Sequence, residues 1–263
     1  HWTNHPKIEY HAALIMFWLT YMSNLVNGET MNVMILGAGG GIGLALLEAY
    51  AQAPETTKIF ATHHRPVSDV SPLVNWLQLD LADPDSVAAL AAQVDDAIDR
   101  WICCTGILAY PDHGPEKSLR QLNAEKLQRD HMINAVGPLT AFAALAPRLR
   151  SSQLRAAFLS AQVGSIEDNR LGGWHGYRMS KAALNMGVKC LAIECARWRN
   201  DPTIVAVHPG TTKSNLSRSF IQTRKAPVQS AAVCADNLKQ LIESLQPEQS
   251  GQFLRLSGER LPW

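Results

Sequence analysis

The sequence predicts an α/β fold, in which a doubly wound parallel sheet of seven strands carries helices on both faces. Three observations lead to this prediction: short apolar runs alternate with longer helical segments, several runs are apolar at every position, and a glycine-rich loop joins the first run to the first helix. Strands that are apolar throughout are typical of parallel sheets buried on both faces. The alternating order then places helices on both sides of the sheet.

The elements follow one another without a repeat or a linker, so we expect a single domain from Met31 to Trp263. Strands are predicted at 33–36, 58–62, 76–79, 101–104, 156–160, 204–208 and 253–256. Helices are predicted at 42–53, 83–97, 123–150, 176–199 and 229–245. Residues 1–30 are expected to be an N-terminal extension of unassigned role, with Met31 as the natural start. Their apolar run is shorter than the roughly 20 residues that span a bilayer.

The composition is typical of a core-forming protein without a strong net charge. Of the 263 residues, 46% are hydrophobic and 18% are charged, and the formal net charge is +1. No basic patch suggests nucleic-acid binding, and no membrane attachment is expected. The five cysteines are odd in number, and none are spaced as C-x-x-C or as a zinc-binding pair. We therefore predict no bound metal and a reducing, cytoplasmic compartment.

The first predicted strand leads into a loop that contains Gly37, Gly39, Gly41 and Gly43, with Ile42 opening the helix. Glycines allow a tight turn and a close approach of the backbone, and the helix N-terminus offers free N–H groups to a pyrophosphate. This order of strand, loop and helix is typical of a Rossmann-type fold that binds a dinucleotide. A glycine-rich turn without a ligand is the alternative.

The end of the second predicted strand bears on the choice of cofactor. Folds that prefer NAD carry a carboxylate there, roughly twenty residues beyond the glycines, which holds the ribose 2′-hydroxyl. This chain has Thr62-His63-His64-Arg65 instead. Because Arg65 can pair with a 2′-phosphate and no carboxylate repels it, we predict NADP(H) rather than NAD(H). The alternative is that Arg65 is a solvated loop residue.

Tyr177 and Lys181 are four residues apart at the start of a predicted helix, so both side chains lie on one face of it. A free phenol has a pKa of about 10. A neighbouring ammonium is expected to lower that pKa, which makes Tyr177 a usable proton donor to a carbonyl oxygen. Alone, this spacing is a common accident of helical sequences. Together with the glycine loop it predicts the site of an oxidoreductase.

From Met31 onward the chain resembles the short-chain dehydrogenase/reductase family. The resemblance rests on the glycine loop, Asn134 within 133–138, the pair Tyr177 and Lys181, and His208-Pro209-Gly210. Within the family, the segments 164–166, 172–174 and 262–263 look most like the C-factor or sniffer-like carbonyl reductase group.

The resemblance implies a role for each motif. The glycine loop would bind the cofactor pyrophosphate, and Asp80 with Leu81 would hold the adenine. Tyr177 would be the catalytic acid or base, Lys181 would activate it and bind the cofactor ribose, and Asn134 would keep a proton-relay water in place. Further cofactor contacts are expected at Gly106, Pro209, Gly210, Thr212 and Ser214. A substrate lid is expected at about 214–227.

One departure from the family pattern concerns the serine that orients the substrate carbonyl. The family's position falls on Ala161, and Ser160 lies one residue earlier. A shift of one residue on a strand turns a side chain to the opposite face. Three alternatives follow: the loop turns the Ser160 hydroxyl inward, Ser165 supplies the hydrogen bond, or the site works without a serine. We take Ser160 as the fourth catalytic residue.

These features predict an NADP(H)-dependent oxidoreductase that acts on a small carbonyl or alcohol substrate. The family's usual dimer contacts suggest a homo-oligomer, a dimer or tetramer formed through the helices at 123–150 and 176–199. One alternative is a cofactor-binding signalling or regulatory protein with little catalysis, which the displaced serine favours and Tyr177, Lys181 and Asn134 oppose. The other is an NAD-dependent dehydrogenase that oxidises alcohols.

Overall fold

The computed structural model describes residues 30–64, 71–111, 113–150, 153–214, 216–217 and 228–263. Three of the predicted features therefore fall outside the described residues: the N-terminal extension up to residue 29, Arg65, and the lid at 215 and 218–227.

Seven parallel strands form one sheet, as the apolar runs predict, and their spatial order is β3-β2-β1-β4-β5-β6-β7. The strands are β1 Met31–Leu36, β2 Thr56–His63, β3 Val74–Gln78, β4 Arg100–Cys103, β5 Arg155–Leu159, β6 Thr203–His208 and β7 Phe253–Arg255. The chain moves outward from β1 to β3 and then returns to place β4 on the other side of β1. In such sheets the ligand crevice lies at the carboxyl ends of the strands where the order reverses.

Helices cover both faces of the sheet. They are α1 Gly41–Ala51, α2 Pro84–Gln93, α3 Ala124–His131, α4 Gly137–Ala144, α5 Ala146–Leu149, α6 His175–Cys195 and α7 Ala231–Ser244. On one face α1 packs against α7, and on the other α3 packs against α6 and α2 against α4. Of the helices that the structure describes, none combines the length and the apolar character that crossing a bilayer requires.

The alternation of side chains along each strand divides the interior into two cores. In β5, Ala156 and Phe158 face the core beneath α4 and α6, whereas Ala157 and Leu159 face the core beneath α1 and α7. Both sets of side chains are buried, which is why the strand is apolar at every position. Position 160 continues the alternation toward α6, and this determines where the Ser160 hydroxyl lies.

The single helix predicted at 123–150 is interrupted, so this prediction is corrected. After α3 the backbone makes a π-helical turn over Met132–Val136, and α4 begins at Gly137. The helix presses closely on the loop after β3 here, since a Cβ at Gly137 would lie 2.6 Å from Leu81 Cβ. Apolar periodicity in a sequence does not detect the extra residue of a π-turn, which often marks a functional position.

Candidate active site

A cavity of about 690 Å³ opens at the carboxyl ends of the central strands. The first turn of α1 lines one end, and Tyr177 and Lys181 of α6 line the wall beyond it. Apolar side chains line the rest, among them Leu108, Leu171, Trp174 and Leu216. A concave, largely apolar site with a few convergent polar groups is the usual form of a cofactor and substrate site.

The glycine loop turns sharply beneath this cavity. Gly37 has φ +76°, a left-handed conformation that favours glycine, and its carbonyl accepts from Gly40 N at 3.1 Å. A Cβ at Gly43 would collide with the Gly37 carbonyl oxygen. The helix therefore sits directly on the turn, and Gly41, Ile42 and Gly43 line the cavity.

The first turn of α1 presents its backbone N–H groups to the cavity. The helical ladder begins with Leu44 N donating to Gly40 O at 2.7 Å. The N–H groups of Gly41, Ile42 and Gly43 precede that bond, and an anion at a helix N-terminus accepts from such groups. Gly37 and Gly39 shape the turn without lining the cavity.

The opposite wall is formed by Pro209, Gly210, Thr212 and Ser214, which all line the cavity as the resemblance implies. The side-chain amide of Gln229 holds this segment, donating to Pro209 O at 2.5 Å and to Thr212 Oγ1 at 3.2 Å. A Cβ at Gly41 would lie 3.3 Å from Ser214 Cβ. The glycine loop and this segment thus approach each other across the mouth of the cavity.

The structure does not bring the predicted adenine contacts to the cavity wall. Asp80 closes a turn, because its Oδ1 accepts from Ala82 N at 2.9 Å, and its Oδ2 lies 4.0 Å from His64 Nδ1. Leu81 is buried against Gly137. Neither residue is among those that line the cavity.

Tyr177 and Lys181 are both buried on the first turns of α6. Lys181 Nζ lies 5.9 Å from the centre of the Tyr177 ring and donates to Leu159 O at 2.8 Å. Burial lowers the pKa of Lys181 to about 8, so the group is mainly an ammonium at pH 7. Burial also raises the pKa of Tyr177, opposite to the direction expected from a neighbouring ammonium. In this geometry, desolvation of the buried phenol sets the direction of the shift in its pKa.

Asn134 lies in the π-turn and joins three segments at the base of the site. Its Oδ1 accepts from Ile107 N at 2.7 Å, and its Nδ2 donates to Ile107 O at 2.9 Å and to Ser180 Oγ at 3.0 Å. A Cβ at Gly106 would lie 3.4 Å from Lys181 Nζ and 3.5 Å from Asn134 Oδ1. Gly106 therefore lies in van der Waals range of both the lysine and the asparagine.

The two candidate serines differ in position. Ser160 lines the cavity, but its hydroxyl donates to Asn185 Oδ1 at 2.6 Å. Ser165 lies outside the cavity lining, where its hydroxyl donates to Trp263 O and accepts from Asp168 N, both at 3.0 Å. Ala161 lines the cavity at the position that the family gives to serine.

Asn185 is a site residue that sequence reasoning missed, although a signal was present. Tyr177, Lys181 and Asn185 are each four residues apart, so all three lie on one face of α6. Gln229 was missed as well, and no local pattern indicates that its amide supports a segment twenty residues earlier.

A parallel sheet with a glycine loop at its switch point and a buried tyrosine and lysine in the crevice defines a nucleotide-dependent oxidoreductase. A family model described as short chain dehydrogenase matches residues 31–225. The chain belongs to this family of oxidoreductases, whose members bind nicotinamide cofactors.

Three individual proteins show how far the likeness extends. The C-signal of Myxococcus xanthus is 33% identical over 150 residues, which are 56% of this chain and 84% of that protein. The carbonyl reductase Sniffer of D. melanogaster has a TM-score of 0.76 at 24% identity and covers 89% of this chain and 100% of its own. An NADPH-bound carbonyl reductase from chicken fatty liver has a TM-score of 0.77 at 23% identity, with 89% and 95% covered. The predicted resemblance is confirmed.

Proposed function

We propose that the protein is an NADP(H)-dependent oxidoreductase that transfers a hydride between nicotinamide and a carbonyl or alcohol substrate. One observation carries the proposal: a single cavity is lined by the α1 N-terminus, by Tyr177 and Lys181, and by an apolar wall large enough for a small substrate.

The residues present fit a nicotinamide dinucleotide. The turn at Gly37 and the missing Cβ of Gly43 let the first turn of α1 sit directly on the glycine loop, where its backbone N–H groups would donate to a pyrophosphate as ligand. A bound nicotinamide would supply the hydride donor or acceptor, chemistry that no side chain offers. Pro209, Gly210, Thr212 and Ser214 would hold the opposite side of the cofactor. The proposal includes one cofactor-binding domain over residues 31–263, with a substrate lid at about 214–227.

Tyr177 would give the proton to the substrate oxygen in the reducing direction. Its raised pKa keeps the proton on the phenol oxygen at pH 7, so the group is in the donating form. As the proton leaves, the Lys181 ammonium would stabilise the phenolate that forms. Asn134, which is anchored on Ile107 and Ser180, would support the proton relay. Ser160 would orient the carbonyl once its hydroxyl turns away from Asn185.

NADP(H) is proposed over NAD(H) because of the charged side chains near the end of β2. The segment Thr62 to His64 at the end of β2 contains no carboxylate of its own, and Arg65 follows it in the sequence. The Asp80 carboxylate lies 4.0 Å from His64 Nδ1, so a 2′-phosphate here would depend on the positive charge of Arg65. The bound NADPH of the chicken carbonyl reductase supports the same choice. Comparing Kd values for NADPH and NADH with the wild type and with Arg65→Ser tests it: the preference should fall at least tenfold in the variant. An unchanged ratio of the Kd values for NADPH and NADH would contradict a contact between Arg65 and the 2′-phosphate.

The proposed reaction is tested by following NADPH oxidation with a panel of aldehydes, ketones and quinones. Tyr177→Phe should lower kcat by about 10²- to 10⁴-fold, the usual contribution of a positioned general acid, while NADPH still binds. Tyr50→Phe is the matched control, because Tyr50 bonds Glu243 away from the cavity. Unchanged turnover in Tyr177→Phe would remove the tyrosine from the mechanism.

A second candidate is a cofactor-binding signalling protein with little catalysis. The two candidate serines favour it, because the hydroxyl groups of Ser160 and Ser165 both donate their hydrogen bonds to protein oxygens and not into the cavity. The likeness to C-signal agrees with it. Tight NADPH binding without turnover of any carbonyl in the panel would decide for this candidate.

We also propose a homo-oligomer that forms through α6. An apolar stripe of Met179, Met186 and Ile193 repeats every seven residues on one side of the helix, and these side chains are 48%, 65% and 58% exposed. A two-fold dimer buries the same stripe of both copies. The proposed compartment is the cytoplasm, because the five cysteines are unpaired.

A further inference from the structure

The helix that carries Tyr177 begins without a cap of its own. Its N-cap residue is Trp174, which has φ 50° and ψ 40°, a left-handed conformation that non-glycine residues adopt at a cost. Trp174 makes no side-chain cap hydrogen bond, and the first turn holds no acidic residue. Helices usually gain both from nearby residues in the sequence.

Glu116 supplies the missing cap from a distant part of the chain. Its carboxylate Oε2 accepts from Gly176 N at 3.2 Å, and its backbone carbonyl accepts from Trp174 N at 2.5 Å. A carboxylate at a helix N-terminus also interacts favourably with the helix dipole. The start of α6 is therefore fixed by a residue 60 positions earlier, in the loop between β4 and α3.

Glu116 belongs to a buried ionic cluster with Lys126 and Asp130. Lys126 Nζ lies 2.9 Å from Glu116 Oε1 and 2.7 Å from Asp130 Oδ2, and the Tyr110 hydroxyl donates to Asp130 Oδ1 at 2.9 Å. The exposed fractions of Glu116, Lys126 and Asp130 are 2%, 6% and 0%. Charges this deeply buried persist only where each is paired and hydrogen-bonded, so their positions are fixed.

The buried ionic cluster lies directly against the backbone of α6. A Cβ at Gly176 would collide with Asp130 Oδ2, so only glycine fits at position 176 in this packing. On the other side of Tyr177, the Asn134 amide holds Ser180. The turn that carries the phenol is thus held by the cluster before it and by Asn134 after it.

We infer that Glu116, held by its ion pair with Lys126, is a positioning residue that fixes the phenol of Tyr177 by capping α6 from the loop between β4 and α3. The inference rests on the proposed function for its kinetic consequence. The structural consequence, a fixed Tyr177, is independent of any turnover.

The test compares Glu116→Ala, which removes the carboxylate that accepts from Gly176 N, with Glu116→Gln, which keeps an acceptor for that N–H group. Lys126 keeps Asp130 as its partner in both variants, so no unpaired charge is left buried. Glu116→Ala should lower kcat at least tenfold with the Kd for NADPH within twofold. Glu116→Gln should stay within threefold of the wild type. If the alanine variant does not fold, Glu116→Asp replaces it, because the shorter side chain withdraws the carboxylate from Gly176 while keeping its charge.

The matched control is Glu243→Gln at the amino end of the sheet. Glu243 pairs with Arg100 at 2.7 Å and accepts from the Tyr50 hydroxyl at 2.9 Å, remote from the cavity. Glu243→Gln should lower thermal stability without changing kcat. Each variant is assayed at the same interval below its own melting temperature. The inference would be overturned if kcat fell no further in Glu116→Ala than in Glu243→Gln.

A second readout does not depend on catalysis. The chain has five tyrosines, and fluorotyrosine labelling gives each a ¹⁹F resonance that Tyr177→Phe and Tyr50→Phe can assign. Glu116→Ala should move or broaden the Tyr177 resonance and leave that of Tyr50, and Glu243→Gln should do the reverse. An unmoved Tyr177 resonance would overturn the inference. If the wild type reduces no carbonyl, the proposed function fails, and the resonances still decide whether Glu116 positions the tyrosine.

Discussion

The Ser160 hydroxyl donates its proton to Asn185 Oδ1 across 2.6 Å, which joins the end of β5 to the third turn of α6. Both residues are buried, and among the described residues Asn185 Nδ2 has no acceptor. A hydroxyl has one proton, so Ser160 can donate to a substrate carbonyl only after it leaves Asn185. Leaving a buried acceptor without its donor costs about 1–3 kcal/mol. This cost opposes any contribution of Ser160 to catalysis.

Ser160→Ala should therefore have a modest effect. Removal of an unopposed oxyanion donor costs roughly 10²–10³ in kcat, and we expect about tenfold or less here. The measurement is kcat/KM with NADPH and a carbonyl that the wild type reduces. Ser165→Ala is the matched control, because the Ser165 hydroxyl donates to Trp263 O outside the cavity lining. This variant should have a lower melting temperature and an unchanged kcat/KM. A larger loss of kcat/KM in Ser165→Ala would reverse the assignment.

Lys181→Met should stabilise the protein, by an amount that depends on pH. Burial lowers the pKa of Lys181 to about 8, compared with about 10.4 for an unfolded lysine. Below pH 8 both states are protonated, and the folded state carries the full cost of the buried ammonium. Between pH 8 and about 10 the unfolded state binds more protons, so wild-type stability rises with pH.

The gain in the free energy of unfolding of Lys181→Met should be about 1–3 kcal/mol at pH 7 and should shrink toward pH 9.5. Urea unfolding at pH 7, 8.5 and 9.5 measures it. Lys189→Met, two turns further along the same helix, is the control, because Lys189 is only partly buried. An equal, pH-dependent gain in the control, or none in Lys181→Met, would contradict the prediction.

Gly43→Ala should weaken cofactor binding. The new Cβ would meet the Gly37 carbonyl oxygen and would lie 2.9 Å from the Gly37 carbonyl carbon, and neither atom belongs to a flexible side chain. The turn or the helix must shift, at a typical cost of about 1–3 kcal/mol in stability. The Kd for NADPH, measured by fluorescence titration, should rise at least tenfold. Gly114→Ala, whose Cβ meets nothing within 4 Å, should bind NADPH as the wild type does.

Met186→Glu should dissociate the proposed oligomer. Met186 lies at the centre of the apolar stripe of α6 and is 65% exposed. A charge at the centre of a two-fold interface meets its own copy and must also be desolvated. Light scattering with size-exclusion chromatography should show a monomer. Val233→Glu, at a 50% exposed position of α7, should leave the mass unchanged. A monomeric wild type would end the proposal.

The sheet and the central residues of the site could be predicted from sequence because both have local signals. Apolar runs such as Val33 to Leu36 are buried on both faces, and the glycines and the spacing of Tyr177 and Lys181 are read directly from the chain. The features that local sequence patterns did not predict depend on residues far apart in the sequence. The orientation of Ser160 depends on Asn185, and the direction of the Tyr177 pKa depends on burial that no spacing reveals.

The buried ionic cluster is another feature that could not be predicted from local sequence patterns. Lys126 and Asp130 lie four apart in the polar helix Ala124–His131, a pattern that ordinarily indicates a solvated pair. Both are buried because Glu116 and the glycine at 176 close over them. Burial of this kind follows from tertiary contacts, and a charge pattern alone predicts the opposite.

The π-turn at Met132–Val136 has a consequence for how this enzyme can be engineered or can drift. Deleting one residue there would restore a regular α-helix with better hydrogen-bond geometry, but it would rotate Asn134 relative to α4 by about 100°. Selection for thermal stability alone would therefore favour the shortened helix, whereas selection for the proposed role of Asn134 would favour the extra residue. The length of this segment among descendants of the chain would record which of the two pressures each lineage has experienced.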